Sequence, residues 1–210
     1  MEKEEEILSP LTLDQFEIGE LLGKGGEATA RMATHKLTGA LFCMRTISRK
    51  RVEEKLNKFI EALKIQIYLN HPNIAKVYGV IVEEDKVHMV MEYCEEGDLK
   101  ANTSVFEGDV PGTKGLLLNL AKAVEYMHTQ QIQHRDLKLE NVLMSFGQPK
   151  IADFELAVYV RLPFIPRKTI CGSPAYFSPE MIATCRYNKK ADIWCLGIIF
   201  YEMICGKFPF

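Results

Sequence analysis

The stretch His134-Arg135-Asp136-Leu137-Lys138-Leu139-Glu140-Asn141 places a carboxylate able to accept a proton close to an ammonium group and to an amide oxygen able to face a metal ion. Asp153-Phe154 follows twelve residues after Asn141 and offers a second oxygen ligand. A base, a fixed cation and two oxygen ligands are what phosphoryl transfer from ATP needs, because that reaction runs on positioning and charge neutralisation. Far upstream, Gly23-x-Gly25 with Gly26 lies between two predicted strands, where residues without a Cβ let backbone N–H groups approach phosphates. Alone this is weak: a tight hairpin explains it equally well, and no G-K-[ST] ends the loop as in a P-loop.

These groups need a scaffold. Residues 16–22 alternate apolar and polar side chains as a half-buried strand does, and 28–34 and 41–47 read as the next two strands. Leu56, Phe59, Ile60, Leu63 and Ile67 recur at helical spacing before the breaker His71-Pro72-Asn73. Residues 74–82 and 87–93 complete a small sheet. Beyond Gly97, Leu117, Leu120, Ala121, Val124 and Met127 mark one face of a helix running into the catalytic stretch, and a mostly helical region follows. The order implies an α+β chain of two lobes joined near residues 93–97, with a nucleotide cleft at the join. Residues 1–12 read as a flexible lead-in, 13–94 as the first lobe and 95–210 as the second.

Nearly half of the 210 residues are apolar and the net charge is −2, so the chain can bury a substantial core and carries no charge field for nucleic acid. The acidic opening Glu2 to Glu6 lacks the layout of a secretory signal, and the apolar run at 196–205 is too short to span a bilayer. An intracellular protein of cytoplasm or nucleus, with no membrane partner, is expected. Cysteines 43, 94, 171, 185, 195 and 205 form no C-x-x-C pair and are expected as free buried thiols; His35, His71, His88 and His128 are scattered, and packing roles outweigh metal binding.

From about Phe16 to Phe210 the chain resembles a eukaryotic protein kinase domain, with Lys138 pointing to the serine/threonine branch. Within that family it is most similar to the aurora kinases, through Asp14-Gln15-Phe16-Glu17-Ile18-Gly19, His71-Pro72-Asn73-Ile74, Lys150-Ile151-Ala152-Asp153-Phe154 and Thr169-Ile170-Cys171-Gly172. The resemblance implies a bilobal kinase fold: an N-lobe antiparallel sheet with one helix and a mostly helical, incomplete C-lobe. It implies ATP and Mg2+ as cofactors and a protein substrate or partner, with association with full-length relatives or activators as a further partner class. Asp136 would accept the proton of the substrate hydroxyl, Lys138 would steady the transferring phosphate, and Asn141 and Asp153 would hold magnesium. Met91 resembles the gatekeeper; backbone groups of Glu92 and Cys94 would meet adenine, with Leu22, Ala30, Cys43 and Leu143 as walls, Gly23 and Gly25 over the phosphates, and Asp98 toward ribose or substrate. Plain core packing is the competing reading for the apolar members, and for Leu143 or Cys43 alone it is preferred. Thr169 matches the activating phosphosite, whose phosphate Arg135 would bind, against an unmodified loop threonine. Ser173 and Tyr176 would shape the substrate groove, and Asp192 with Trp194 would open the central helix of the second lobe.

Four departures bear on activity. Arg45 stands where the family's strand lysine pairs with ATP phosphates, and a planar fork does not reproduce a compact ammonium charge. Ala62 stands where that lysine's glutamate partner belongs; Glu61 is adjacent but about 100° away around a helix. Asp153-Phe154-Glu155 carries glutamate in place of glycine, and two carboxylates about 6 Å apart would repel by roughly 3 kcal/mol at an effective dielectric of about 20. The chain stops at Phe208-Pro209-Phe210, soon after an apolar helix that needs burial on most sides, so a truncated and association-prone lobe is expected. Weak or impaired transfer follows, with a nucleotide-binding or partner-binding pseudokinase as the alternative.

Overall fold

The computed structural model describes residues 11–25, 28–160 and 168–210, so Gly26 and most of the lead-in lie outside the described residues. The fold is α+β and kinase-like, in two compact units. One comprises the chain up to Phe59 with Lys76–Tyr93; the other comprises Ile60–Ala75 with Cys94–Phe210. Residues 60–75, which fall before the sequence boundary at 94, therefore group with the second unit.

The first unit is a five-stranded antiparallel sheet ordered β1-β2-β3-β5-β4: β1 Phe16–Lys24, β2 Ala28–His35, β3 Leu41–Ser48, β4 Val77–Val82 and β5 Lys86–Glu92. Side chains alternate faces along each strand. Phe42 and Met44 of β3 point to one side and pack with Phe16, Ala33, Ile81 and Val90. Two edge-on aromatic contacts at 5.7 and 5.2 Å, Phe16–Phe42 and Phe42–Tyr78, close that layer. Cys43 and Arg45 take the opposite face. A short helix the periodicity did not announce, α1 Arg49–Glu54, follows β3, with Ser48 as its N-cap accepting from Arg51 N.

The strand expected from residue 74 starts at Val77. Residues 73–75 instead bond Ile151: Ile151 N donates to Asn73 O and Ala75 N to Ile151 O, both at 2.9 Å, within the second unit. Helix α2, Leu56–Tyr68, appears where its periodicity placed it.

The second unit is built on α3 Thr103–Phe106, α4 Val110–Thr129, α5 Pro179–Thr184 and α6 Lys190–Cys205, with a two-stranded antiparallel sheet of β6 Ile132–Gln133 and β9 Val158–Tyr159, and the hairpin of β7 Val142–Ser145 with β8 Gln148–Ile151. Asp109 caps α4 by accepting from Gly112 N, and Gly206 at φ 65° ends α6. The core gathers Leu120, Val124 and Met127 of α4, Leu137 and Leu139 of the catalytic stretch, and Leu196, Ile199 and Met203 of α6. Helix α6 is buried on most sides at Leu196, Ile198, Ile199 and Met203, while Ile193 and Tyr201 are 51% and 38% exposed. No helix among the described residues is long and apolar enough to cross a membrane. All six cysteines are free, but only Cys195 is buried; Cys185 and Cys205 are exposed, which corrects the expectation of buried thiols.

Candidate active site

The catalytic stretch is a loop, and its shape is set from below by α6. Asp192, 1% exposed in the first turn of that helix, accepts from His134 N at 3.0 Å and His128 Nε2 at 2.9 Å through Oδ2, and from Arg135 N at 3.1 Å through Oδ1. A buried carboxylate is tolerated only when such donors surround it. Arg135 turns the chain at φ 73°, a left-handed conformation that a non-glycine residue rarely adopts without support. Its Nε donates to Leu156 O at 2.6 Å. His134 is fully buried against Phe154, ring to edge at 4.8 Å. Its Nε2–H donates to Ala152 O at 3.0 Å, which fixes the tautomer and leaves Nδ1 to accept from Asp136 N at 3.3 Å.

Asp136 is then surrounded by donors. Oδ1 accepts from Ser173 N and from Ser173 Oγ, each at 3.0 Å; Oδ2 accepts from Asn141 Nδ2 at 3.0 Å and pairs with Lys138 Nζ at 3.1 Å. Lys138 Nζ also donates to Ser173 Oγ at 3.0 Å. Gly172 lets this segment approach: at φ +98°, a Cβ built there would lie 2.5 Å from Arg135 O. Asp136, Lys138 and Asn141 are thus brought into direct contact.

Asp153 arrives by hairpin register. β7 and β8 pair Val142 with Ile151, the pairing continues as Ala152 N to Asn141 O at 2.9 Å, and Asp153 is the next residue. It is half-buried at φ 58°. Both amide hydrogens of Asn141 are spent on Asp136, on its main-chain oxygen at 2.8 Å and on its carboxylate, so the amide oxygen is the atom available to a cation. One amide and one carboxylate oxygen at one end of a hairpin fit Mg2+, which takes few protein ligands and fills its shell with water and phosphate oxygens. Among the described residues no cluster of three or more His, Cys, Asp or Glu forms a heavier metal site. Glu155 is exposed and keeps negative φ, so this backbone does not need the glycine that the resemblance led one to expect there.

The hairpin is clamped from the start of the second unit. Its two-residue turn, Phe146-Gly147 at φ 49° and 69°, has the primed geometry that matches strand twist. Glu95 accepts from Phe146 N at 2.6 Å and Ser145 Oγ at 3.0 Å, and Glu96 from Gly147 N at 2.7 Å. Burial raises the Glu95 pKa, but these bonds and Lys150 outweigh it and hold it below the ordinary glutamate value. Asp98 bridges Leu143 and spends Oδ1 on Ala101 N at 2.8 Å, so it closes its own turn as well as facing Leu143.

In the sheet of the first unit, register puts Ala30 beside Arg45 and Arg45 beside Met89, and Cys43 beside Met91, all on the face opposite the Phe42 layer. Met91 is 7% exposed, and burial raises the Cys43 thiol although Arg45 opposes it. Glu92 N is engaged by Lys76 O at 2.9 Å. Gly23 pairs with Ala30, and Gly25 N donates to Ala28 O at 2.9 Å, closing the hairpin; Leu22 is 41% exposed. Around Gly23 a Cβ would meet nothing within 4 Å. Ala62, 8% exposed, carries no carboxylate, and Glu61 is exposed.

Thr169 is exposed, and its carbonyl accepts from Tyr187 OH at 2.6 Å. Burial raises the Tyr187 pKa, the adjoining Cys171 thiol adds to the rise, and the neighbouring Arg135 opposes it. Thr169 and Arg135 therefore flank one tyrosine. Residues 161–167 of the same loop lie outside the described residues.

Residues 16–210 match the family model described as a protein kinase domain. The chain belongs to the protein kinase family. It is 33% identical over 205 residues to Aurora kinase B of Mus musculus, covering 96% of this chain and 59% of that one. It is 32% identical over 203 residues to mouse Aurora kinase C, covering 95% and 73%, and 34% identical to the Aurora kinase of Saccharomyces cerevisiae, covering 95% and 55%. The chain thus spans a little over half of two of these relatives. The serine/threonine-type, aurora-like resemblance drawn from its motifs agrees with these matches. Two features of this kinase-family chain escaped sequence reasoning: the grip of Asp192 on the catalytic loop, and the clamp of Glu95 and Glu96 on the hairpin. The first had a signal, a lone aspartate at the head of an apolar helix, since such a charge must find partners.

Proposed function

We propose that this chain transfers the γ-phosphoryl group of ATP, with Mg2+, to serine or threonine hydroxyls of protein substrates, at a reduced rate. The observation that carries the reading is the set of donors gathered on Asp136, with Asn141 and Asp153 at the adjoining hairpin end. Residues 13–94 would serve the nucleotide and 95–210 the acceptor. All four lone-pair positions of Asp136 are filled, so an incoming hydroxyl displaces one donor. The Ser173 hydroxyl yields at least cost, because its backbone N–H stays. Asp136 then accepts the hydroxyl proton as the acceptor oxygen bonds the γ-phosphorus and the bond to the β–γ bridging oxygen breaks, releasing ADP. Lys138 stays beside the transferring group. Asn141 and Asp153 would hold Mg2+, which would supply neutralisation of phosphate charge.

The reduced rate rests on Arg45 and Ala62. A guanidinium retains attraction for phosphate but presents a wide fork, and an alanine cannot orient it through a carboxylate. Since the reaction depends on alignment, loss of a positioning pair removes rate without removing the fold. The buried methyl of Ala62 favours a second reading, nucleotide binding without transfer and a regulatory role through protein partners.

Thermal unfolding with and without Mg-ATP, followed by a phosphate-transfer assay on the same sample, separates these. Nucleotide at about a hundred times its Kd stabilises by about 2.7 kcal/mol, a shift of about 5 to 10 °C for a chain of this size. A shift with transfer that Asp136→Asn abolishes supports the enzyme; a shift without transfer supports the second reading; no shift refutes both.

A further inference from the structure

Glu202 of α6 has a side chain only 2% exposed, and its two oxygens face different partners. Oε1 is paired with Lys100 Nζ, and Oε2 accepts from Tyr176 OH at 2.6 Å. Tyr176 OH also accepts from Leu139 N at 3.4 Å, directly after Lys138. Tyr176 ends the short turn Pro174–Tyr176, whose first carbonyl, Ser173 O, accepts from Tyr176 N at 3.0 Å. Ser173 is the residue that bonds Asp136. Phe208 fills the remaining side, edge-on to the Tyr176 ring at 5.4 Å and with Lys100 Nζ 5.7 Å from its centre. The backbone of Lys100 is fixed as well: Leu99 N donates to Val142 O at 2.7 Å, on the strand that follows Asn141, and Ala101 N donates to Asp98.

We propose that Lys100 is a positioning residue for this site, holding Ser173 against Asp136 through Glu202 and Tyr176. The inference rests on the phosphotransfer reading for its kinetic consequence, but not for its structural one. A carboxylate this buried needs a partner at each oxygen, and Lys100 is the cation that Oε1 meets. Glu202 Oε2 accepts the tyrosine hydroxyl, and burial together with that bond keeps the hydroxyl protonated. Without the Lys100 ammonium, Oε1 is left buried and unpaired, and a carboxylate that moves to find another donor loosens its bond to Tyr176 and with it the turn that carries Ser173.

The test compares the full chain with Lys100→Met, Lys100→Arg and Tyr176→Phe. Hydrogen exchange at the Ser173 amide is expected to accelerate about tenfold or more in Lys100→Met and Tyr176→Phe, with Lys100→Arg near wild type. In the transfer assay the same two variants raise the acceptor KM several-fold, and the thermal shift given by Mg-ATP is unchanged. Unchanged Ser173 exchange in folded Lys100→Met overturns the inference; if that variant does not fold, Tyr176→Phe decides by the same measure. A wild-type chain that transfers no phosphate refutes the phosphotransfer reading instead, while the exchange comparison still decides the role of Lys100.

Discussion

Replacing Asp192 should damage the catalytic loop without touching a residue that meets substrate. In Asp192→Ala the acceptor of three hydrogen bonds disappears, two of them from the main chain at His134 and Arg135. Each buried donor left unpaired costs about 1–3 kcal/mol, so the two backbone donors alone, at about 2 each, give about 4 kcal/mol. For a chain of this length that lowers Tm by about 8 to 16 °C. Asp192→Asn is the sharper probe. Its amide oxygen can replace Oδ2, which serves His134 N and His128 Nε2, but its NH2 group then faces Arg135 N, donor against donor. One unpaired donor costs about 2 kcal/mol, or about 4 to 8 °C. Arg135 sits at φ 73° and loses the bond that holds it there, so transfer should fall further than stability. Calorimetry at neutral pH should rank wild type above Asn above Ala. An Asn variant that melts within about 1 °C of wild type would refute the claim that this carboxylate holds the loop.

Gly172→Ala places a Cβ 2.5 Å from Arg135 O at φ +98°; a cost of about 1–3 kcal/mol in unfolding experiments is expected, with a disproportionate loss of transfer because Ser173 is pushed from Asp136. The His71 pKa is lowered from 6.5, first by burial and then by Lys122 and Lys150, and its Nδ1 accepts from Asn73 N at 3.1 Å. The unfolded chain protonates before the folded one, so this contribution is full above the ordinary histidine value and is lost as pH falls through it. Between pH about 7.5 and 5.5, Tm should therefore fall more in wild type than in His71→Asn, whose amide oxygen can still accept; equal slopes contradict this. Arg45→Lys with Ala62→Glu should raise transfer more than the two single changes added together, and additivity within about 0.5 kcal/mol would refute that the two changes act jointly.

Sheet, helices and catalytic stretch were legible because period-two and period-3.6 patterns and a spaced set of polar residues are local properties of a chain. What could not be read was where polar groups spend their bonds. Glu95 and Glu96 look like solvated charges in sequence, yet they satisfy three donors at a hairpin turn fifty residues away. Residues 73–75 look like the start of a strand because Ile74 and Ala75 are apolar, but their backbone is claimed by Ile151, a pairing that no local pattern encodes. The helix residues Asp192 and Glu202 share this logic. Each is a lone acid in an apolar α6, each is 1% exposed, and each reaches outward to a different part of the same loop system, one to His134 and Arg135, the other to Tyr176. Ten residues apart on one helix, they make α6 the common base of the loop that carries Asp136 and of the serine that bonds it. Disturbing either acid should therefore alter the site through backbone placement, whereas changing Asp136 alters its chemistry. Exchange rates at Arg135 and Ser173 distinguish the two kinds of damage even where both abolish transfer.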